Sequence, residues 1–145
     1  MRNIDVTDEG VIRGAPRAAF DAILGLMAGR ERWWSPHLKV RSVGERTPDH
    51  VGSLSEIRVP GRARFVARIE QVVAPSLLRV QYVSGDFRGA GVWSFDPEAE
   101  GTRIRFHWQV VPSRWWMRLL APAVQRNHSS VMQLGFKALD AHLQS

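Results

Sequence analysis

The chain has 145 residues, the length of one ordinary domain, with 44% hydrophobic residues, six Trp and no Cys. That composition excludes a disordered chain, disulfides, thiolate nucleophiles and Cys-bound metal. The net charge is +6, carried by 18 Arg and only two Lys, Lys39 and Lys137.

Ile4 to Arg13 reads as a first strand whose alternation is interrupted at Asp8-Glu9-Gly10, which predicts a bulge. Gly14-Ala15-Pro16 opens a helix, with Pro suited to a first helical position. Phe20, Ile23, Leu24 and Met27 form its apolar stripe and Gly29 ends it. Arg30 to Ser35 has room for one further short turn.

From Leu38 the apolar period becomes two. Strands are predicted at Leu38-Val40, at Val51 to Val59, through Phe65, Ala67 and Ile69, through Leu78, Val80 and Tyr82, and through Gly91, Trp93 and Phe95 up to Asp96-Pro97. The clearest runs from Thr102 to Val110, with Arg103, Arg105, His107 and Gln109 on its other face. Turn signals between the strands predict an antiparallel meander. The Arg residues alternate with apolar ones through this region, the pattern of a solvated outer sheet face rather than of a nucleic-acid surface. After Pro112 the period is helical again: Trp115 to Ala121, a kink or restart at Pro122, then Ala123 to Leu143.

The expectation is one α+β domain over 1–145, a twisted antiparallel sheet of about seven strands around a long C-terminal helix, with one or two short helices after the first strand. No apolar run reaches the roughly 20 residues of a membrane span, and Met1 to Val6 carries no secretory signal, so a cytoplasmic protein is expected.

Asn127-His128 is the most informative pair, because it falls on the apolar stripe of the last helix with Val124, Val131, Met132, Gly135 and Leu139. A buried polar pair needs a partner, a water or a ligand, and Gly135 on the same face is expected to leave room. Three readings stand: the pair bonds the sheet or each other and positions the helix, it faces a cavity and meets a ligand there, or a neutral His128 acts as general acid or base. A catalytic His needs an orienting carboxylate. None lies within helical reach, where Val124, Gln125, Val131 and Met132 sit, so the sheet must supply it, and Glu56 is the candidate. Phe65, Tyr82, Trp93, Phe95, Phe106 and Trp108 lie on the apolar strand faces, as core or as cavity wall suited to a planar or isoprenoid ligand.

Trp33-Trp34 and Trp115-Trp116 are doublets near helix ends. Trp115 and Trp116, flanked by Arg114 and Arg118, suit plain packing, a lid over a cavity mouth or transient membrane contact. The five His show no metal-ligand spacing, and neither a phosphate-binding Gly-rich loop nor a nucleophile elbow is present. No metal and no cofactor are expected.

In element order, and in Ala15-Pro16 followed by Ala19-Phe20-Asp21-Ala22-Ile23, the chain resembles the START-like (SRPBCC) superfamily with the helix-grip fold, and within it the polyketide cyclase/dehydrase-like group. Gly52, the stretch Trp93-Ser94-Phe95-Asp96-Pro97, and Gly101-Thr102-Arg103-Ile104 carry the same resemblance. Met117 to Pro122 and Asn127 to Met132 are similar to the terminal helix of a bacterial subset. The resemblance spans nearly the whole chain and implies a deep, mostly apolar cavity under the long helix. It implies no shared catalytic set, since fold does not fix function. The expected function is binding of a small hydrophobic or lipid-like molecule by Asn127, His128, Tyr82, Trp93, Trp108, Phe106, Met132 and Glu56. The alternatives are a cyclase-, dehydratase- or isomerase-type enzyme and a membrane-associated or protein-interaction module.

Overall fold

A computed structural model describes residues 4–45 and 47–145. Strand β1 (Ile4–Ile12) leads into helix α1 (Pro16–Met27). Then come β2 (Lys39–Val43), β3 (Leu54–Val59), β4 (Ala63–Val73), β5 (Leu77–Gly85), β6 (Phe87–Glu98) and β7 (Gly101–Pro112). A short helix α2 (Trp115–Leu119) precedes the long helix α3 (Ala121–Gln144). The seven strands form one antiparallel sheet in the order β1-β7-β6-β5-β4-β3-β2. Hairpins join β2 through β7 in sequence order, while α1 carries the chain from one sheet edge to the other.

One face of the sheet is covered by the helices and holds the core. The other face is solvated and laced with charge: Arg105 reaches Glu9 at 2.9 Å and Asp96 at 2.8 Å, and Arg103 reaches Glu9 at 3.1 Å. The chain breaks between α2 and α3 at Leu120, and Pro122 sits in the first turn of α3, where its missing N–H costs nothing. The proline therefore restarts the helix rather than kinking it.

The bulge predicted at Asp8-Glu9-Gly10 is absent, for β1 pairs with β7 without a break from Ile4↔Val110 to Ile12↔Thr102. The two residues that spoil the apolar alternation both face α3. Asp8 meets His128. Gly10 admits Phe136, since a Cβ there would stand 2.9 Å from its ring. The interruption marks the seat of the long helix.

That seat holds the C-terminal half of α3. Leu139 is fully buried, Asp140 takes the Arg13 guanidinium at 2.9 Å, and the Gln144 amide donates to the Arg13 carbonyl at 2.5 Å. Helix α3 rests chiefly on β1, at one sheet edge. Because the sheet twists, a straight helix seated there diverges from the strands beyond, and its N-terminal half spans a gap.

A ligand-sized cavity under the N-terminal half of the long helix

The gap is a cavity of about 270 Å³. Its roof is Val124, Asn127, His128, Val131 and Met132 of α3, and its walls include Phe65, Tyr82, Phe87, Trp93, Phe106 and Trp108 from the sheet. Ile57 and Val59 close the β3 side. Edge-to-face contacts set the rings against one another: Phe65–Tyr82 at 5.1 Å, Phe87–Trp108 at 4.9 Å between centroids. Phe95 is the exception among the strand aromatics, packing on Phe20 in the dry core at 5.3 Å.

His128 is held on three sides. Its ring stacks parallel on Trp108, with centroids 3.9 Å apart and planes 5° apart, and Phe106 lies beyond at 5.8 Å. Its Nδ1 stands 3.2 Å from Asp8 Oδ2. The two atoms are close, but the ring is turned off the line of a straight hydrogen bond, and both atoms are buried without another hydrogen-bond partner among the described residues. Burial pushes the His128 imidazole down toward its neutral form, and Asp8 opposes this only in part. For Asp8, burial raises the carboxyl, but contacts with His128 and Ser129 outweigh it and hold it below the usual carboxylate range. The pair is therefore a carboxylate beside a neutral imidazole at neutral pH.

Three further polar residues line the same space. The Trp93 indole N–H is buried and has no acceptor among the described residues. Asn127, half-buried, makes no side-chain hydrogen bond among the described residues. Tyr82 is fully enclosed. Burial pushes its phenol up, with the Trp108 N–H offsetting a little, so it stays protonated.

Glu56 does not belong to this group. On β3 the cavity-facing residues are Ile57 and Val59, so the period of two turns Glu56 to the opposite face. There it lies under Arg64 at 3.1 Å, Arg41 at 3.3 Å and Arg58 at 3.8 Å. The carboxylate beside His128 is Asp8 of β1, whose signal was the polar break in an otherwise alternating strand.

Gly135 does not leave an empty space either. A Cβ there would collide with the Trp34 indole, which fills the position and donates its N–H to the Val131 carbonyl at 3.1 Å. Trp34 is buried, lines the cavity, and stacks on the half-buried Trp33. At the cavity mouth α2 places Trp116 and Met117 in the lining, joined by Leu120 at the break before α3, while Trp115 is 70% and Leu119 71% exposed. No helix of the described residues is long and apolar enough to cross a membrane.

A twisted antiparallel sheet gripping a long terminal helix over an apolar cavity defines a START-like helix-grip protein. The chain belongs to the family described as polyketide cyclase / dehydrase and lipid transport, whose profile matches residues 3–144. Solved structures share the fold over nearly the full length. A START superfamily protein from Mycobacterium smegmatis superposes with a TM-score of 0.76 at 14% identity, covering 97% of each chain. TTHA0849 from Thermus thermophilus gives 0.70 at 19% identity over 95% of this chain and 98% of its own. Ara h 8.0201 gives 0.71 at 11% identity over 99% of both chains. No curated protein matches the chain.

Proposed function

We propose that this protein binds a small hydrophobic molecule in the cavity between the sheet and the N-terminal half of α3. The observation that carries this reading is an apolar chamber lined by a few polar residues, with Trp93 among them keeping a buried N–H that has no partner among the described residues. A volume of about 270 Å³ falls just below the roughly 300–1,000 Å³ of drug-sized pockets, which favours a compact ring compound or short isoprenoid over a long-chain lipid. Four of the six Trp line the space (Trp34, Trp93, Trp108 and Trp116), so intrinsic fluorescence reports occupancy. Titration with naphthalene-sized apolar compounds should give saturable quenching. Val131→Trp, which places an indole in the roof, should weaken it about tenfold or more, a loss of roughly 1.4 kcal/mol, while the fold persists by circular dichroism. Quenching indifferent to this block would place the compounds elsewhere and remove the reading.

A second reading is favoured by α2. Trp116 and Leu120 line the cavity yet remain half-exposed, beside exposed Trp115 and Leu119 and the cations Arg114 and Arg118. Aromatic, aliphatic and basic side chains in that arrangement suit a bilayer interface. We infer that the mouth rests transiently on an anionic membrane, so that a ligand passes between bilayer and cavity with little exposure to water. Vesicles of phosphatidylcholine with phosphatidylserine should pellet the protein, less so in high salt, and several-fold less for the Trp115→Ala, Trp116→Ala double variant. Pelleting that ignores phosphatidylserine, salt and both substitutions would end this reading.

A further inference from the structure

The Asp8–His128 pair is costly as mere packing. Ionised carboxylates resist burial, and replacing a buried polar pair with well-packed apolar residues is often stabilising. Here the carboxylate is 8% exposed, and Oδ2 and the facing Nδ1 are enclosed without a straight hydrogen bond. The neighbours on the inward face of β1 are Val6 and Gly10, so an aliphatic residue would suit the position. The arrangement resembles a base and its orienter. Asp8 faces Nδ1 and so favours the tautomer with the proton there, which leaves the lone pair on Nε2. No protein group among the described residues hydrogen-bonds Nε2, and His128 lines the cavity. The Trp108 stack fixes the ring plane, so little ordering remains when a substrate arrives. The second feature is the Trp93 N–H, a buried donor without a partner among the described residues, on a ring that lines the same chamber. A lone donor in apolar surroundings is most useful to an oxygen that gains negative charge.

We propose that the cavity catalyses proton transfer at the carbon beside the carbonyl of a small apolar ketone, with His128 as the base, Asp8 as its positioning residue and Trp93 as the donor to the oxygen. This rests on the cavity being the ligand site. In the step, the C–H bond breaks and its proton bonds to His128 Nε2. The C–H electron pair becomes the new C=C bond, and the carbonyl π pair moves to the oxygen, held by the Trp93 N–H. Return of the proton to the same carbon restores the ketone. In a β,γ-unsaturated ketone, return to the γ-carbon moves the double bond into conjugation. No oxidant or second reactant is required.

The test measures exchange of the α-protons of cyclohexanone, 2-indanone and 2-tetralone in D2O by proton NMR, with tryptophan quenching as the parallel measure of binding. The protein should accelerate exchange of at least one ketone by about 10²–10⁴ over buffer. His128→Gln should abolish the acceleration. Asp8→Asn, which keeps the side-chain shape, should lower kcat about tenfold or more while KM stays within about threefold, a split that a purely structural role would not give. Ketones that quench the tryptophans yet exchange at the buffer rate would overturn the catalytic assignment and leave the binding reading standing. Failure of all three ketones to bind, while other apolar compounds do, would overturn the assignment of substrate class and so the proposal. Equal acceleration by the wild type and both variants would place the base elsewhere.

Discussion

Trp34→Ala should lower the free energy of unfolding by about 3–5 kcal/mol, the range for removing a fully buried Trp. This is the most damaging single truncation we expect. Trp34 is 1% exposed and lies in the segment between α1 and β2, 97 positions in sequence from the α3 residue whose carbonyl it meets. Its ring lies against the bare backbone of Gly135, its N–H satisfies the Val131 carbonyl, and its edge meets Trp93 at 6.3 Å. It thus ties the loop after α1, the sheet and α3 to one another. Urea unfolding followed by circular dichroism measures the loss. A change under about 1 kcal/mol would show that the surrounding groups collapse into the space, in which case Trp34 is no tie. Gly135→Ala attacks the same contact from the other side. The gain of up to about 1 kcal/mol in helix propensity should be overwhelmed by the collision of its Cβ with the Trp34 ring, so the net effect is destabilising. Since Trp34 also lines the cavity, the truncated protein that remains folded should accept larger compounds than the wild type.

Gly91→Val should weaken ligand binding about tenfold or more at a smaller cost in stability. Gly91 sits in β6 opposite Val80 and Trp108, in the sheet floor beneath Phe106 and Tyr82. A Cβ there would stand 2.6 Å from both the Phe106 Cζ and the Tyr82 hydroxyl. Both atoms are ring ends adjoining the cavity, so the strain is relieved by moving them into it. Overpacking of this kind costs about 1–3 kcal/mol, and the volume is taken from the chamber. Binding measured by tryptophan quenching should weaken about tenfold or more, with a dispersed NMR spectrum showing that the fold survives. Retained affinity would mean that the rings move sideways and the ligand does not lie over them.

The sheet was legible because its strands face two different media. Arg103, Arg105 and His107 against Ile104, Phe106 and Trp108 leave only one way to turn β7, and the same logic holds for β4 and β5. An interruption at Pro122 followed from its missing donor, but not the choice of restart over kink. The site was legible by half. Asn127 and His128 announced themselves as polar residues on an apolar stripe, but no pattern within a helix names its partner across a gap. Glu56 was selected although Arg58, on the same strand face, already argued for solvent. Asp8 was hidden because a charge in a strand reads as a turn or bulge. Only the joint observation, one polar break in the first strand and one in the last helix, points to a contact between them. Trp34 was equally hidden: Gly135 advertised a missing side chain, and a sequence cannot distinguish a void from a place taken by a residue about a hundred positions away.

The fixing of α3 at one end only has a bearing on how such a protein diversifies. Leu139, Phe136 and Asp140 secure the helix away from the cavity, whereas the Val124 and Asn127 side chains line the cavity and make few contacts that hold the helix. Mutational tolerance and chemical selectivity are thereby assigned to different stretches of one rod. On the proposed function, substitutions in the stretch over the cavity change what the chamber admits, while the stretch seated on β1 keeps the chain folded.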